Sequence, residues 1–366
     1  MKAITLCLLL IGTHSFSQSK TGFISITRFD GSREAIQEQT DKKLGRIMQI
    51  NLWYPSKEAS DRMTFSDYVA LAGLELDSSK LNNWQETGIT RYFAWPESVK
   101  ADKKKFLEFL DKKTPMNAVK NARLPGNKYP LVMLVHGFAA DYAYFAEHLA
   151  AQGFVVIHVP VKGTTKYELD YQDRGLESQV LDYEFGLRIL REEFPVIAGE
   201  IAVTGFSFGG QSAMALAIRN PEIAAVVSLD GGIGSAFGVQ LLQSQRYYDV
   251  KKIKQPVLHL YNPRDTYTDL SWLKSVTGTK KFLVAMKNMD HGHFTSFGIL
   301  NKALPGIMGK DAPDPGKGYE GVILLTTEFL ENTLKKKIVP ADDFISATMK
   351  NYPWLKGVIV KQEVIS

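Results

Sequence analysis

Cysteine is almost absent: the single copy, Cys7, sits inside an apolar run close to the first residue. Charge of one sign is scarce as well. Forty-four Lys and Arg against 39 Asp and Glu leave a net +5, too small a surplus to steer the chain onto nucleic acid or an acidic membrane. No internal repeat or low-complexity tract interrupts the 366 residues. With 45% hydrophobic and 23% charged residues, disordered, collagen-like and coiled-coil chains are excluded. The length fits one large α/β unit with insertions and can bury a sizeable core.

The start, Met1-Lys2-Ala3, then apolar residues from Ile4 to Gly12, then Ser15-Phe16-Ser17-Gln18, has the basic, apolar and small-residue sections of a secretory signal peptide. At about ten residues the run is half of what a membrane-spanning helix needs. Residues 1–17 are therefore expected to be a signal peptide cleaved near Ser17, and the protein to be secreted or periplasmic. A retained N-terminal anchor is the alternative. Leu6 precedes Cys7, where a lipoprotein signal would have a small residue, so no lipid anchor is expected. Removal of the segment leaves a chain without cysteine, which excludes disulfides and thiol chemistry.

Phe23 to Thr27 and Arg46 to Pro55 alternate apolar and polar side chains and read as paired strands. Residues 57 to about 128 lose that pattern and carry helical ones, Phe65 to Leu76 and Val99 to Leu110, as expected of a helical insertion beside the core. From Tyr129 the apolar runs become continuous: 131–135, 154–159, 201–203, 224–229, 257–260 and 282–285. Strands buried on both faces look like this. Helical stretches lie between them, at Asp141 to Gln152, Leu176 to Glu192, Phe208 to Arg219 and Leu270 to Val276, and Phe329 to Lys337 closes the pattern. The alternation predicts an α/β fold with a mostly parallel, doubly wound sheet preceded by an antiparallel strand pair.

One turn carries chemistry. The strand Ile201 to Thr204 runs into Gly205-Phe206-Ser207-Phe208-Gly209-Gly210 and then into a small-residue helix. Gly-x-Ser-x-Gly in that context holds a serine out of a turn too tight for side chains two positions before and after it. Helix N-terminal amides beside Ser207 are placed to stabilise an oxyanion. Phe138, after the buried strand 131–135, and Phe208 are the expected oxyanion-hole donors, through their backbone N–H groups.

Such a serine needs a base. Of seven histidines, His14 leaves with the signal and His136 orders the oxyanion loop. His148 lies in a helix, and His158 and His259 lie within strands. His291 and His293 remain, in the loop after the last buried strand. His291 comes sooner after that strand and is the expected base, with His293 in reserve. The pair has no third His or Cys at a recognised spacing, so no metal is expected. Two carboxylates fit the order serine, acid, histidine: Asp230, ending the strand 224–229, and Asp265, after the strand 257–260. Residue physics alone leaves them undecided.

From Asn51-Leu52-Trp53-Tyr54-Pro55 through Lys128-Tyr129-Pro130, His136-Gly137-Phe138 and the Ser207 turn, the chain resembles the α/β-hydrolase superfamily. Within it the resemblance is to the dienelactone hydrolase-like branch that includes the platelet-activating-factor acetylhydrolases. It covers about residues 46 to 336 and is poor in the insertion. It implies Asp230 as the acid, in a Leu-Asp context 23 residues after Ser207. His291 is favoured by a similar His-x-x-Phe segment. The stretch Pro256 to Asp265 resembles the acid-bearing segment of ordinary dienelactone-type enzymes, so Asp265 stays in reserve. The cysteine nucleophile of those enzymes is missing here, and their substrate is not carried over.

These readings predict a serine hydrolase acting on a small-molecule carboxylic ester, without cofactor, nucleic-acid partner or stable membrane anchor. A peptidase or amidase with the same three residues is the alternative enzyme, and a non-catalytic binding protein on the same fold the alternative class.

Overall fold

The computed structural model describes residues 20–74, 83–194, 196–308, 315–335 and 344–366. The expected signal segment, 1–17, lies outside them. Among the described residues eleven strands form one sheet in the order β11-β10-β9-β8-β7-β5-β6-β2-β1-β4-β3. They are β1 (Lys20–Asp30), β2 (Arg46–Ser56), β3 (Arg62–Thr64), β4 (Pro115–Lys120), β5 (Tyr129–Val135) and β6 (Val155–Val159). The rest are β7 (Ile197–Phe206), β8 (Ile223–Leu229), β9 (Val257–Tyr261), β10 (Lys281–Met286) and β11 (Ile359–Ile365).

The strands from β5 to β10 pair in parallel, and β1 pairs antiparallel with β2, as the two kinds of apolar pattern predict. Parallel pairing requires crossovers, and these are helices. The described helices begin with α1 (Phe65–Leu74), α2 (Trp84–Ser98) and α3 (Lys103–Asp111), all in the insertion. They continue with the crossovers α4 (Ala139–Ala151), α5 (Asp173–Glu193) and α6 (Phe208–Arg219). Successive residues of β5 serve opposite cores. Val132 and Leu134 join α1 to α4 and the helix Pro315–Leu334, while Leu131, Met133 and Val135 join α5 and α6. No helix among the described residues is long and apolar enough to cross a membrane.

Two features depart from the sequence reading. The insertion is not purely helical, because β3 and β4 extend the sheet beyond β1. Their short runs, three and six residues long, carry too little alternation to stand out. Nor does the chain close near Lys337. A further helix, Phe344–Asn351, leads into β11, which pairs antiparallel with β10. As an edge strand with Val360 and Val364 exposed, β11 lacks the continuous burial that marks its neighbours.

The insertion is welded to the core. Its first two helices approach so closely that a Cβ on Gly73 would run into the Trp84 carbonyl, and one on Gly88 into that of Ala70. Beneath them Glu147 of α4 is fully buried. One carboxylate oxygen accepts the Tyr68 hydroxyl at 2.9 Å and the Ala118 N–H at 3.0 Å, and the other accepts the Asn117 N–H at 2.6 Å. Tyr68 in turn accepts the Trp53 indole N–H at 2.9 Å. Burial pushes this carboxyl up to about 7, against the pull of its three donors. One side chain thereby ties β2, α1 and β4 to α4. Truncation would orphan two buried donors and the half-buried Asn117 N–H, at about 1–3 kcal/mol each. Glu147→Ala is expected to lower unfolding free energy by at least about 3 kcal/mol in urea titrations, and Tyr68→Phe by about 1 kcal/mol.

Candidate active site

Three non-glycine residues with left-handed backbone lie at the C-terminal ends of parallel strands: His136 (φ 82°), Ser207 (φ 54°) and Asp230 (φ 45°). Such conformations persist only where the surroundings impose them, and they gather at functional sites. At Ser207 the surroundings are explicit. A Cβ on Gly205 would meet the Gly209 carbonyl, and one on Gly209 would meet the Val135 carbonyl. The Ser207 carbonyl accepts Gly210 N–H at 2.9 Å and Gly232 N–H at 2.8 Å. Strand, turn and helix are thus held in contact, and the hydroxyl is left at the head of α6.

His291 Nε2 lies 2.8 Å from Ser207 Oγ, and its Nδ1 lies 2.7 Å from Asp230 Oδ2. With Nδ1–H donated to the carboxylate, Nε2 is the acceptor for the serine proton. The other Asp230 oxygen accepts the Asn262 N–H at 2.8 Å. Asp230 is nearly buried and His291 partly open. Residues 84 positions apart in the chain, Ser207 and His291, meet because parallel strands deliver their loops to one edge of the sheet.

His293 does not join them. It is fully buried, and its Nδ1 accepts the Asp290 N–H at 3.0 Å, turning the ring into the loop that presents His291. Asp265 is drawn in: it has an oxygen within 4.8 Å of a His291 nitrogen and an Asp230 oxygen. Among the described residues this is the one His, Cys, Asp and Glu grouping close enough to hold a metal ion. Both ring nitrogens of His291 are already engaged there.

The two expected oxyanion donors differ. Phe208 N–H stands at the first position of α6, where no intrahelical acceptor exists. Phe138 N–H is given to Asp141 Oδ2 at 2.8 Å, so it does not face a substrate oxygen as expected. The cause is an acid at the third position of α4, which reaches back to the residue capping the helix. Asp141 was not singled out in the sequence, although an acid three residues after His136-Gly137-Phe138 is the signal of such a cap. Its carbonyl also accepts both the N–H and the hydroxyl of Ser296, at 2.7 and 2.9 Å, which couples the oxyanion loop to the histidine loop.

Buried imidazoles support the same loop. His158 Nε2–H reaches the Gly137 carbonyl at 3.2 Å. Burial pushes His158 and His136 down to about 3, so both stay neutral. Aromatic side chains wall the site: the Phe206 ring lies 4.7 Å from His291, and the half-buried Trp95 of α2 lies 6.2 Å away, edge-on. Tyr92 and Phe93 are buried in the core. A cavity of about 650 Å³ lined by Arg33, Arg46, Arg174 and Arg246 holds none of the three residues around Ser207.

Burial pushes Asp141 up to about 7, opposed by its bond from Phe138 N–H. A carboxyl held above its unfolded value binds its proton more tightly in the native state. Its stabilising contribution is complete below about pH 4 and is lost as pH rises through about 7. Urea midpoints of wild type should fall over that interval, and Asp141→Asn, which keeps an acceptor without charge, should fall less.

Residues 121–285 match the family model described as the dienelactone hydrolase family. A ferulic acid esterase from Streptomyces cinnamoneus superposes with a TM-score of 0.62 at 20% identity, covering 88% of this chain and 93% of that one. An acylaminoacyl peptidase from Pyrococcus horikoshii reaches a TM-score of 0.44 at 19% identity, over 61% of this chain and 41% of that one. Among curated proteins none matches the sequence.

Proposed function

We propose, from the match of residues 121–285 to the dienelactone hydrolase family model, that this chain is an exported serine hydrolase that cleaves small carboxylic esters. The observation that carries the reading is the unbroken run of short hydrogen bonds from Asp230 through His291 to Ser207, at the head of α6.

In this reading His291 Nε2 takes the Ser207 proton as Oγ attacks the ester carbonyl. Asp230 holds the imidazole in the required tautomer and stabilises its cation. The carbonyl oxygen, now an anion, meets the Phe208 N–H and the positive end of α6. His291 returns the proton to the departing alcohol, and water, activated by the same ring, frees the acid from Ser207. An ester asks less of this site than an amide does, because its carbonyl is more electrophilic and its alcohol the better leaving group. Trp95 and Phe206 supply apolar surface beside the reacting bond.

A fluorophosphonate probe is expected to label wild type at Ser207 and to leave Ser207→Ala unlabelled. Hydrolysis of p-nitrophenyl acetate should fall by several decades in that variant. Undiminished turnover in Ser207→Ala would refute the reading. Export is tested separately: the N-terminus of protein recovered from the medium or periplasm should begin close to Gln18.

A further inference from the structure

The carboxylate that holds His291 is already fully used. Asp230 gives one oxygen to His291 Nδ1 and the other to Asn262 N–H. Asn262 begins a tight turn that ends at Thr268. Asp265 N–H bonds the Asn262 carbonyl at 3.3 Å, Thr268 N–H bonds the Asp265 carbonyl at 3.2 Å, and the Thr268 hydroxyl bonds the Asn262 carbonyl at 3.2 Å. Asp265 Oδ1 accepts Tyr267 N–H at 2.9 Å. The turn hangs from Asp230 at one end. It is pinned to the histidine loop by Arg264, whose guanidinium pairs with Asp290 at 2.6 Å, directly before His291. This double attachment holds Asp265 where its carboxylate lies within 4.8 Å of both His291 and Asp230.

Two carboxylates beside one neutral imidazole repel each other. That repulsion is relieved when the ring becomes a cation between them, which happens only as the serine proton is transferred. An interaction stronger in the transition state than in the ground state accelerates the chemical step. The other groups around the ring do not supply it. Arg264 and Asp290 neutralise each other, His136 is buried and neutral, and Phe206 and Trp95 are uncharged.

We propose that Asp265 is a positioning residue of the same site: a second carboxylate that stabilises the His291 cation and takes over its Nδ1–H when Asp230 is removed. The proposal rests on the serine-hydrolase reading above.

The test is a double-mutant cycle on the full chain with p-nitrophenyl acetate, using Asp230→Asn, Asp265→Asn and the double variant across pH 5 to 9, with Ser207→Ala as the floor. Asp265→Asn keeps the acceptor for Tyr267 N–H, so the turn is retained. It is expected to lower kcat several-fold with KM little changed and to move the acid limb of the profile to lower pH. Asp265→Glu should restore both. Asp230→Asn should stay at least tenfold above the double variant, which falls to the floor. The proposal is overturned if Asp265→Asn leaves kcat and the acid limb unchanged, or if Asp230→Asn alone already lies at the floor. It is also overturned if EDTA abolishes wild-type turnover and a divalent cation restores it, since the cluster would then be a cation site. Wild-type turnover that survives Ser207→Ala would instead overturn the parent reading, and this proposal with it.

Discussion

The turn at Ser207 is the constraint from which the rest of the site follows. A chain cannot leave a buried strand and enter a helix within one residue unless the backbone adopts a left-handed conformation there. Ser207 does so at φ 54°, with Gly205 and Gly209 lying against backbone on either side. Because β7 lies centrally in the sheet, with β5 on one side and β8 on the other, the loops after those strands necessarily flank the serine. His136 and Asp230 share the left-handed backbone for the same reason. Each is the first residue past a parallel strand and must turn sharply back over the edge.

Much of this was legible in the sequence because it depends on local pattern. Continuous apolar runs marked the parallel strands, and the glycine spacing around Ser207 marked the turn. Chain order alone brought His291 and the acids to one edge. What the sequence could not settle depends on distance. Asp230 and Asp265 lie in the loops after neighbouring strands, and only the folded chain shows that one binds His291 directly while the other lies within 4.8 Å of it. His291 was preferred to His293 for its place nearer the strand, and the folded chain adds the reason: the His293 ring turns away to accept the Asp290 N–H. The fate of the Phe138 amide was hidden because backbone donors leave no trace in residue type.

The strands missed at either end of the sheet share one physical cause. β4 and β11 each have solvent along part of their length, so polar residues interrupt the apolar signal by which a buried strand is recognised. Within the helical insertion, β3 and β4 went unread on the same account. Its helices were legible in outline, but β3 and β4 take their form from pairing beside β1, which is a tertiary preference and not a local one.

Trp95, whose ring lies edge-on to His291, rides on α2, and α2 is seated glycine-to-backbone on α1, whose Tyr68 is fastened to Glu147 inside the principal core. The wall of the site is therefore part of the folding unit. Substitutions that widen this side to admit a bulkier ester must remove material that also supports the native state, so a gain in substrate breadth here comes coupled to a loss in thermal tolerance.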